Sequence, residues 1–283
     1  MNNINSQQLE SILGRKQYSK ITTLDSSFLE NKKVLITGAN GSIGNRLVDK
    51  LKENKNINLL ATDISGDFEY LDITDIKNVN SVINKFSPDF LINLAGAKHA
   101  PEGEYDTWKT FSINTLGTKN LLESIDNKTK FLLTSTCKSA NPEIVYGASK
   151  LIAERMVLNE NGSVARFFNV VETSGNVFEI WNNIPNSKAI DLAPTCERHF
   201  ISLDEAVGLI LFCLNNEPGR YIVNSGPLIK MSDVADRLYP KRKKNIIAPR
   251  RGDRLTEKFL ATSESIESYF LDTEIIKVKN LHD

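Results

Sequence analysis

From residue 33 onward the apolar positions switch repeatedly between two periods. KVLIT (33–37) and INLLATD (57–63) are short apolar runs of strand length, and IGNRLVDKLKE between them spaces its apolar residues as a helix with one buried face does. The alternation continues. DIKNVNSVINKF predicts a helix, DFLINLAG (89–96) a strand, residues 105–125 a helix, KFLLTST (130–136) a strand and residues 143–159 a helix. Strands alternating with helices imply βαβ crossovers, so the expected fold class is α/β with a doubly wound parallel sheet. After about residue 170 the alternation weakens, and Pro, Asn and Gly become frequent. Only shorter elements are expected there, such as LDEAVGLILFCL (203–214) and DRLTEKFL (253–260). The expected organisation is an N-terminal arm over residues 1–30, either weakly ordered or a short helix, a core over 31–170, and a smaller lobe over 171–283 that mainly binds substrate. A ligand is expected in the cleft between that lobe and the C-terminal edge of the sheet.

Composition narrows the function by exclusion. The 283 residues are 40% apolar and 25% charged, which suits a globular chain with a full core. Lys+Arg and Asp+Glu balance at 35 each, so no global field points to nucleic acid. The run KRKK (241–244) is short and reads as a solvated loop. Cys137, Cys196 and Cys213 are odd in number, widely spaced and without a CxxC pattern, which gives neither a disulfide framework nor a metal site. No stretch approaches the roughly 20 apolar residues of a membrane span. The polar start MNNINSQQLE lacks the apolar centre of a signal peptide, so the expected location is the cytoplasm, with no membrane partner.

Two segments carry candidate chemistry. In TGANGSIG, Gly38, Gly41 and Gly44 follow one strand and open a helix, the context in which a glycine turn lets a pyrophosphate approach the helix N-terminus. The next strand ends in Asp63, where a carboxylate would accept from both ribose hydroxyls and repel a 2′-phosphate. NAD is therefore the expected cofactor in a Rossmann-type fold. NADP stays possible because Arg46, just past the glycines, could meet a phosphate. In STCKSANPEIVYGASK (135–150), Tyr146 and Lys150 share one helix face, and Thr136 ends the preceding strand. A phenol of pKa near 10 needs a cation beside it to act as a base at neutral pH. Lys150 can supply that charge while holding the nicotinamide ribose, and Thr136 can bind the same substrate oxygen.

These segments, with NLAGAKHAP, RFFNVVETSGNV and APRRGDRLTEKFL, make the chain resemble the extended short-chain dehydrogenases/reductases. Within them it is similar to the polysaccharide-biosynthesis family that includes the UDP-N-acetylglucosamine 4,6-dehydratases. The similarity covers roughly residues 10–265, and SILGR (11–15) resembles the lead-in of longer, membrane-anchored members. The resemblance implies that Thr136, Tyr146 and Lys150 form the hydride-transfer triad and that Lys138 handles the C5 proton. Gly38, Gly41, Gly44, Asp63 and the adenine contact Asp72 would form the cofactor site, joined by Ser42, Ile43, Ile73 and Ala95. Asn169 and Arg198 would bind the nucleotide sugar, and Arg250 its diphosphate. A homo-oligomer is a further implication.

Three departures from the family pattern alter the expectation. Cys137 stands where the dehydratases usually carry an aspartate that helps expel the C6 hydroxyl, the stretch from Asp63 to Asp72 is short, and the RPGEK-like segment reads RRGDR. The expected activity is C4 oxidation and C5 proton chemistry on a UDP-N-acetylhexosamine, of 4,6-dehydratase or epimerase type. The alternatives are a non-dehydrating reductase or epimerase, a processor of an unsaturated or 4-keto UDP-sugar, or a non-catalytic NAD-binding protein. A Cys137–Lys138 pair that removes and returns the C5 proton is expected, with an inert, packed Cys137 as the other reading. Cys213 is expected in the core, and Cys196 has no expected place. Lys98 and His99 follow a strand end and are candidates for substrate contact or turn structure, and Trp108 and Trp181 are expected to pack.

Overall fold

Side chains alternate along each strand, so the sheet sorts its apolar residues onto two faces. The computed structural model describes residues 4–281. The main sheet has nine strands: β1 (Lys33–Thr37), β2 (Asn58–Asp63), β3 (Glu69–Tyr70), β4 (Phe90–Asn93), β5 (Lys130–Thr136), β6 (Ser163–Phe167), β7 (Arg220–Val223), β8 (Glu264–Phe270) and β9 (Ile275–Asn280). Their order across the sheet is β8-β9-β7-β6-β5-β4-β1-β2-β3. From β3 to β7 neighbouring strands run parallel, and the β8/β9 hairpin extends the sheet antiparallel to β7. The helices of eight residues or more are α1 (Ser6–Leu13), α2 (Ser42–Lys52), α3 (Ile76–Phe86), α4 (Gly117–Ser124), α5 (Val145–Asn159), α6 (Leu203–Asn215) and α7 (Met231–Leu238). Val34 and Ile36 face α2 and α6, meeting Leu47, Leu209 and Ile210. Leu35, Leu91 and Leu133 face the other way, onto Val79, Leu121, Ala153 and Val157 of α3, α4 and α5. None of the described helices is long and apolar enough to cross a membrane.

The fold differs from its sequence-based outline in several places. The sheet does not stop at residue 170, because β7 and the C-terminal hairpin complete it and α6 lies buried against it. Residues 4–30 are not a loose arm. Leu9, Ile12 and Leu13 of α1 enter a second core with Phe178, Trp181, Ile190, Phe200 and Val234, and Arg15 forms a bidentate pair with the buried Glu205 (2.6 and 3.1 Å). Cys196 belongs to the same second core, and Cys213 to the main one. Residues 253–260 form neither helix nor strand: Arg254 and Glu257 turn inward to polar partners, which holds the backbone in a loop. Half of the KRKK run is structural. Arg242 donates to the carbonyls of Trp181, Ile184, Pro185 and Lys188, and Lys244 pairs with Asp236. Trp181 packs, as expected, but Trp108 is 70% exposed.

A buried ion quartet joins the main helix to the sheet. Glu154 of α5 meets Arg166 of β6 at 2.6 Å and Arg220 of β7 at 2.9 Å, and Glu264 at the start of β8 meets the same two arginines at 2.8 and 2.9 Å. The Ser135 and Ser139 hydroxyls donate to Glu154 Oε1 at 2.5 and 2.6 Å. Two positive and two negative charges leave the cluster neutral, which is the condition for burying it. Burial disfavours the Glu154 carboxylate, but Arg166 and Arg220 outweigh that and bring it down to about 2.

Removing one charge strands the others. Glu154→Gln should therefore cost about 3–5 kcal/mol of unfolding free energy, measured by urea titration. Because the folded Glu154 lies below its ordinary 4.5, its contribution is complete above that pH and is lost as pH falls toward 2. The Gln variant should lack that part of the acid destabilisation, and equal pH dependence in the two proteins would contradict this account.

Candidate active site

The strand order reverses at β1, between β2 and β4, and the crevice at that point opens at the strands' C-terminal ends. There the chain leaves β1 through the glycine turn. Gly38 has φ of 69°, and a Cβ at this position would lie 2.5 Å from the Ala95 nitrogen at the end of β4. A Cβ on Gly44 would collide with the Gly38 carbonyl, so this glycine sets the helix against the turn. Gly41, the N-cap of α2, faces only that carbonyl, at 3.3 Å. Two of the three glycines are thus required by packing, and the third leaves bare backbone at a helix N-terminus. This arrangement fits a dinucleotide pyrophosphate.

Asp63 ends β2 beside this turn. Its carboxylate accepts from the Asn40 backbone (3.0 Å) and from the Ser65 nitrogen and hydroxyl (both 3.1 Å). Arg46 is committed elsewhere, to Asp204 at the start of α6 (2.7 Å). Asp72 accepts from the Thr74 nitrogen and hydroxyl (2.9 and 2.7 Å), Ile73 packs against Gly117, and the Ala95 nitrogen donates to Thr37. Ile43 packs on the main core, and Ser42 accepts from the Ser174 nitrogen at 2.9 Å. Lys98 donates to the Ser174 carbonyl at 2.8 Å, and His99 lies against Gly175. Lys98 and His99 therefore line a turn tied to the glycine loop.

The catalytic candidates meet where β5 runs into α5. Gly147 allows this, since a Cβ there would strike the Lys138 carbonyl. Glu104 accepts from the Val145 nitrogen (2.7 Å) and so fixes the first turn of α5. The Thr136 hydroxyl lies beside the Tyr146 phenol. Burial pushes the Tyr146 phenol up, and the Lys138 cation and Thr136 partly offset the rise. Lys150 donates to the Thr134 carbonyl at 3.1 Å. Burial brings its ammonium down to about 8, partly opposed by Glu154. Cys137 is 1% exposed and sits in the main core; burial and the Glu257 charge raise its thiol to about 12. Low-dielectric surroundings disfavour the thiolate, so Cys137 is a weaker acid than an exposed thiol.

A second cluster adjoins the first. Lys138 Nζ lies 2.7 Å from Glu257 Oε1 and 3.4 Å from Asn169 Oδ1. Asn169 donates to Glu257 Oε2 at 2.6 Å, and Arg198 Nε lies 3.6 Å from Oε1. Arg198 also donates to the Arg254 carbonyl at 2.6 Å. Arg250 stays outside this group, 61% exposed and paired with Asp253 at 3.1 Å. The segment that carries it closes over the site: Gly252 (φ 86°) abuts Ala100, and Arg254 donates to the Ala140 carbonyl at 3.0 Å.

Sequence reasoning missed Glu257, Arg254 and Asn114. Asn114 lies in a π-helical turn (Ser112–Leu116), a distortion that recurs at functional sites. It accepts from the Ala97 nitrogen (2.9 Å) and donates to Ser149 (3.0 Å), tying the loop after β4 to α5. Among the described residues, no three His, Cys, Asp or Glu side chains gather as a metal site would require.

Comparison with known proteins agrees with this geometry. Residues 66–279 match the family model described as polysaccharide biosynthesis protein. The capsular polysaccharide biosynthesis protein CapD of Staphylococcus aureus is 32% identical over 93% of this chain and 51% of its own length. The probable polysaccharide biosynthesis protein EpsC of Bacillus subtilis is 29% identical over 81% of this chain and 44% of its own. The chain therefore spans about half the length of these two relatives. A UDP-N-acetylglucosamine 4,6-dehydratase (inverting) of Campylobacter jejuni is 26% identical over 87% of this chain and 84% of its own. Among solved structures, Pen from Bacillus thuringiensis shares the fold with a TM-score of 0.75 at 22% identity, covering 89% of this chain and 88% of its own. The Thermus thermophilus UDP-glucose 4-epimerase, solved with NAD, has a TM-score of 0.69 at 19% identity, covering 81% of this chain and 90% of its own. The family match over residues 66–279 and the 32% identity to CapD over 93% of this chain show that the chain belongs to the polysaccharide biosynthesis family.

Proposed function

We propose that the chain is an NAD-dependent enzyme that acts on a UDP-N-acetylhexosamine in surface-polysaccharide biosynthesis, by oxidation at C4 followed by proton chemistry at C5. The observation that carries this proposal is the convergence of the Thr136–Tyr146 hydroxyl pair with the Lys138–Asn169–Glu257 cluster at the mouth of a dinucleotide crevice. The names of the S. aureus and C. jejuni relatives supply the substrate class.

A bound nicotinamide would accept the hydride from C4. Tyr146 takes the C4 hydroxyl proton, with Thr136 orienting the phenol and Lys138 supplying the field that favours its ionised form. Lys150 is cationic below about pH 8 and would hold the ribose. The C4 ketone acidifies the C5 hydrogen, and Lys138 is the basic side chain beside it. A second reading, in which C5 is reprotonated without loss of water, is favoured by one observation: the Cys137 thiol, raised to about 12, is a poor donor to a departing C6 hydroxyl.

Asp63 beside the glycine turn, with Arg46 tied to Asp204, predicts tighter binding of NAD(H) than of NADP(H) by fluorescence titration. Asp63→Ala should narrow the gap, and equal affinities in the unmodified protein would overturn the assignment.

Tyr146→Phe keeps the ring and removes the hydroxyl. Turnover of UDP-N-acetylglucosamine should fall about 10²-fold or more while equilibrium binding of the nucleotide sugar is retained. Normal turnover by the Phe variant would exclude C4 oxidation through Tyr146.

In deuterated water the product should gain deuterium at C5. Lys138→Met should lower this exchange by about 10²-fold. Cys137→Ser, a change at a buried thiol, should alter stability more than exchange. The opposite ranking would restore Cys137 as the acid.

A further inference from the structure

The Lys138–Glu257 contact is unusual in its asymmetry. Glu257 has a fully buried side chain, yet it comes from a loop with neither helix nor strand. Its Oε2 is anchored twice, by Asn169 Nδ2 at 2.6 Å and by the His199 nitrogen at 3.4 Å. Its Oε1 faces Lys138 Nζ at 2.7 Å. One oxygen is thus fixed by the fold, and the other lies against the lysine, with the Arg198 guanidinium farther off at 3.6 Å. Lys138 keeps a side chain 15% exposed, so the pair opens toward the site through the amine and not through the carboxylate.

We propose that Glu257 is the working carboxylate of this site, a positioning residue that forms with Lys138 a single proton-sharing pair, an inference that rests on the C5 chemistry proposed above. At rest the pair is ammonium and carboxylate. Before C5 is attacked, Nζ passes one proton across to Oε1 and becomes an amine. The C5–H bond then breaks toward Nζ, and its electron pair moves into the enolate of the 4-keto group. The pair now holds one proton more than at rest. In a dehydration the enolate electrons form the C5–C6 double bond as the C6–O bond breaks. Nζ delivers a proton to the leaving hydroxyl, which departs as water, and Oε1 returns its proton to Nζ. Where no water is lost, a proton exchanged with solvent at Nζ goes back to C5. In the dehydration, hydride would return from the bound nicotinamide to C6 and a solvent proton would pass through Nζ to C5, so in either case the pair ends as it began.

The surroundings hold the resting pair as ammonium and carboxylate. The titratable and charged groups that face the pair are Tyr146, Cys137, Arg198, His199 and, next to Cys137, Arg254. His199 Nδ1 is engaged with Ser225 at 2.8 Å, and Cys137 is a weak acid. Burial alone would lower Lys138, but the Glu257 carboxylate reverses this and raises it above the ordinary lysine value.

The test reads Lys138 directly in the full chain by ¹⁵N NMR of labelled lysine Nζ groups, assigned with Lys138→Arg. In the unmodified protein Nζ should remain an ammonium beyond the ordinary lysine midpoint of about 10.4. In Glu257→Gln the midpoint should fall below that value, and Glu257→Asp, which retains the charge and guards against misfolding of the Gln variant, should give an intermediate one. On adding NAD and UDP-N-acetylglucosamine, Glu257→Gln should lose C5 deuterium exchange by about 10²-fold, and Glu257→Asp should lose less. The same Nζ midpoint in the Gln and unmodified proteins, or exchange at the unmodified rate in the Gln variant, would overturn the proposal. A shifted midpoint combined with no turnover of UDP-sugar by the unmodified protein would support the pair and overturn the reaction it is assigned to.

Discussion

Everything at the catalytic end depends on the burial of two arginines with two glutamates. Tyr146, Lys150 and Glu154 recur every four residues along α5 and so lie on one face of it. The face that presents the phenol and amine to the crevice is therefore the face that the Arg166–Arg220–Glu264 group holds at its far end. A buried charge that loses its partner costs several kcal/mol, so α5 can neither slide along the sheet nor rotate without breaking the cluster. Ser135 and Ser139 carry the same constraint to the turn after β5, because both donate to Glu154 while flanking Thr136–Lys138. The hydroxyl, phenol and amine are positioned by a neutral ion cluster one to two turns away, and none of them needs a rigid loop of its own.

The same logic orders the segment from 249 to 263. It has little backbone pairing, and a loop of this kind is ordinarily among the first parts of a protein to open. Here it is held by side chains. Glu264, at its C-terminal end, belongs to the quartet; Glu257, in its middle, meets Lys138; Arg254 reaches the Ala140 carbonyl; and Thr256 bridges Glu197. Asn169, just after β6, and Arg198 of the lobe join the same contacts. Lobe, loop and sheet are therefore joined at the place where the chemistry is proposed, and the loop's order depends on the charge state of that place.

The glycine turn, Asp63 and the β5–α5 segment were legible in the sequence because each is a local pattern: glycines at a strand end, an acid at the next strand end, Tyr and Lys on one helical face. The sheet beyond β6 was not. β7 is only four residues long, and the C-terminal hairpin reads as polar alternation that gains meaning only against β7. Glu257 was hidden for a related reason. In DRLTEKFL it is one of several charges in a polar loop, and its burial is decided by Lys138, 119 residues away. Arg242, within KRKK, was misleading in the same way, since a basic run looks solvated until four carbonyls surround one of its members. Local periodicity announces elements, whereas buried charges are assigned by partners that are distant in sequence.

The site contains two lysines, and the fold gives them opposite electrostatic circumstances. Lys150 is near Glu154, but that carboxylate is already saturated by two guanidinium groups and two hydroxyls, so its attraction offsets only part of the cost of burial and the amine comes down to about 8. Lys138 faces a carboxylate oxygen at 2.7 Å, with Arg198 farther off at 3.6 Å, so the same burial leaves it charged. A pair of like groups driven apart in proton affinity marks a division of roles. Lys150 is held only weakly in its cationic form, which suits a group whose task is to bind and to shape the field. Lys138 keeps its charge through a partner that can also receive the proton, which suits a group whose task is to transfer one. The division does not require Cys137 to be an acid. It requires that the carboxylate lie behind the lysine and not beside the substrate, and the 2.7 Å contact through an otherwise anchored Glu257 meets that condition.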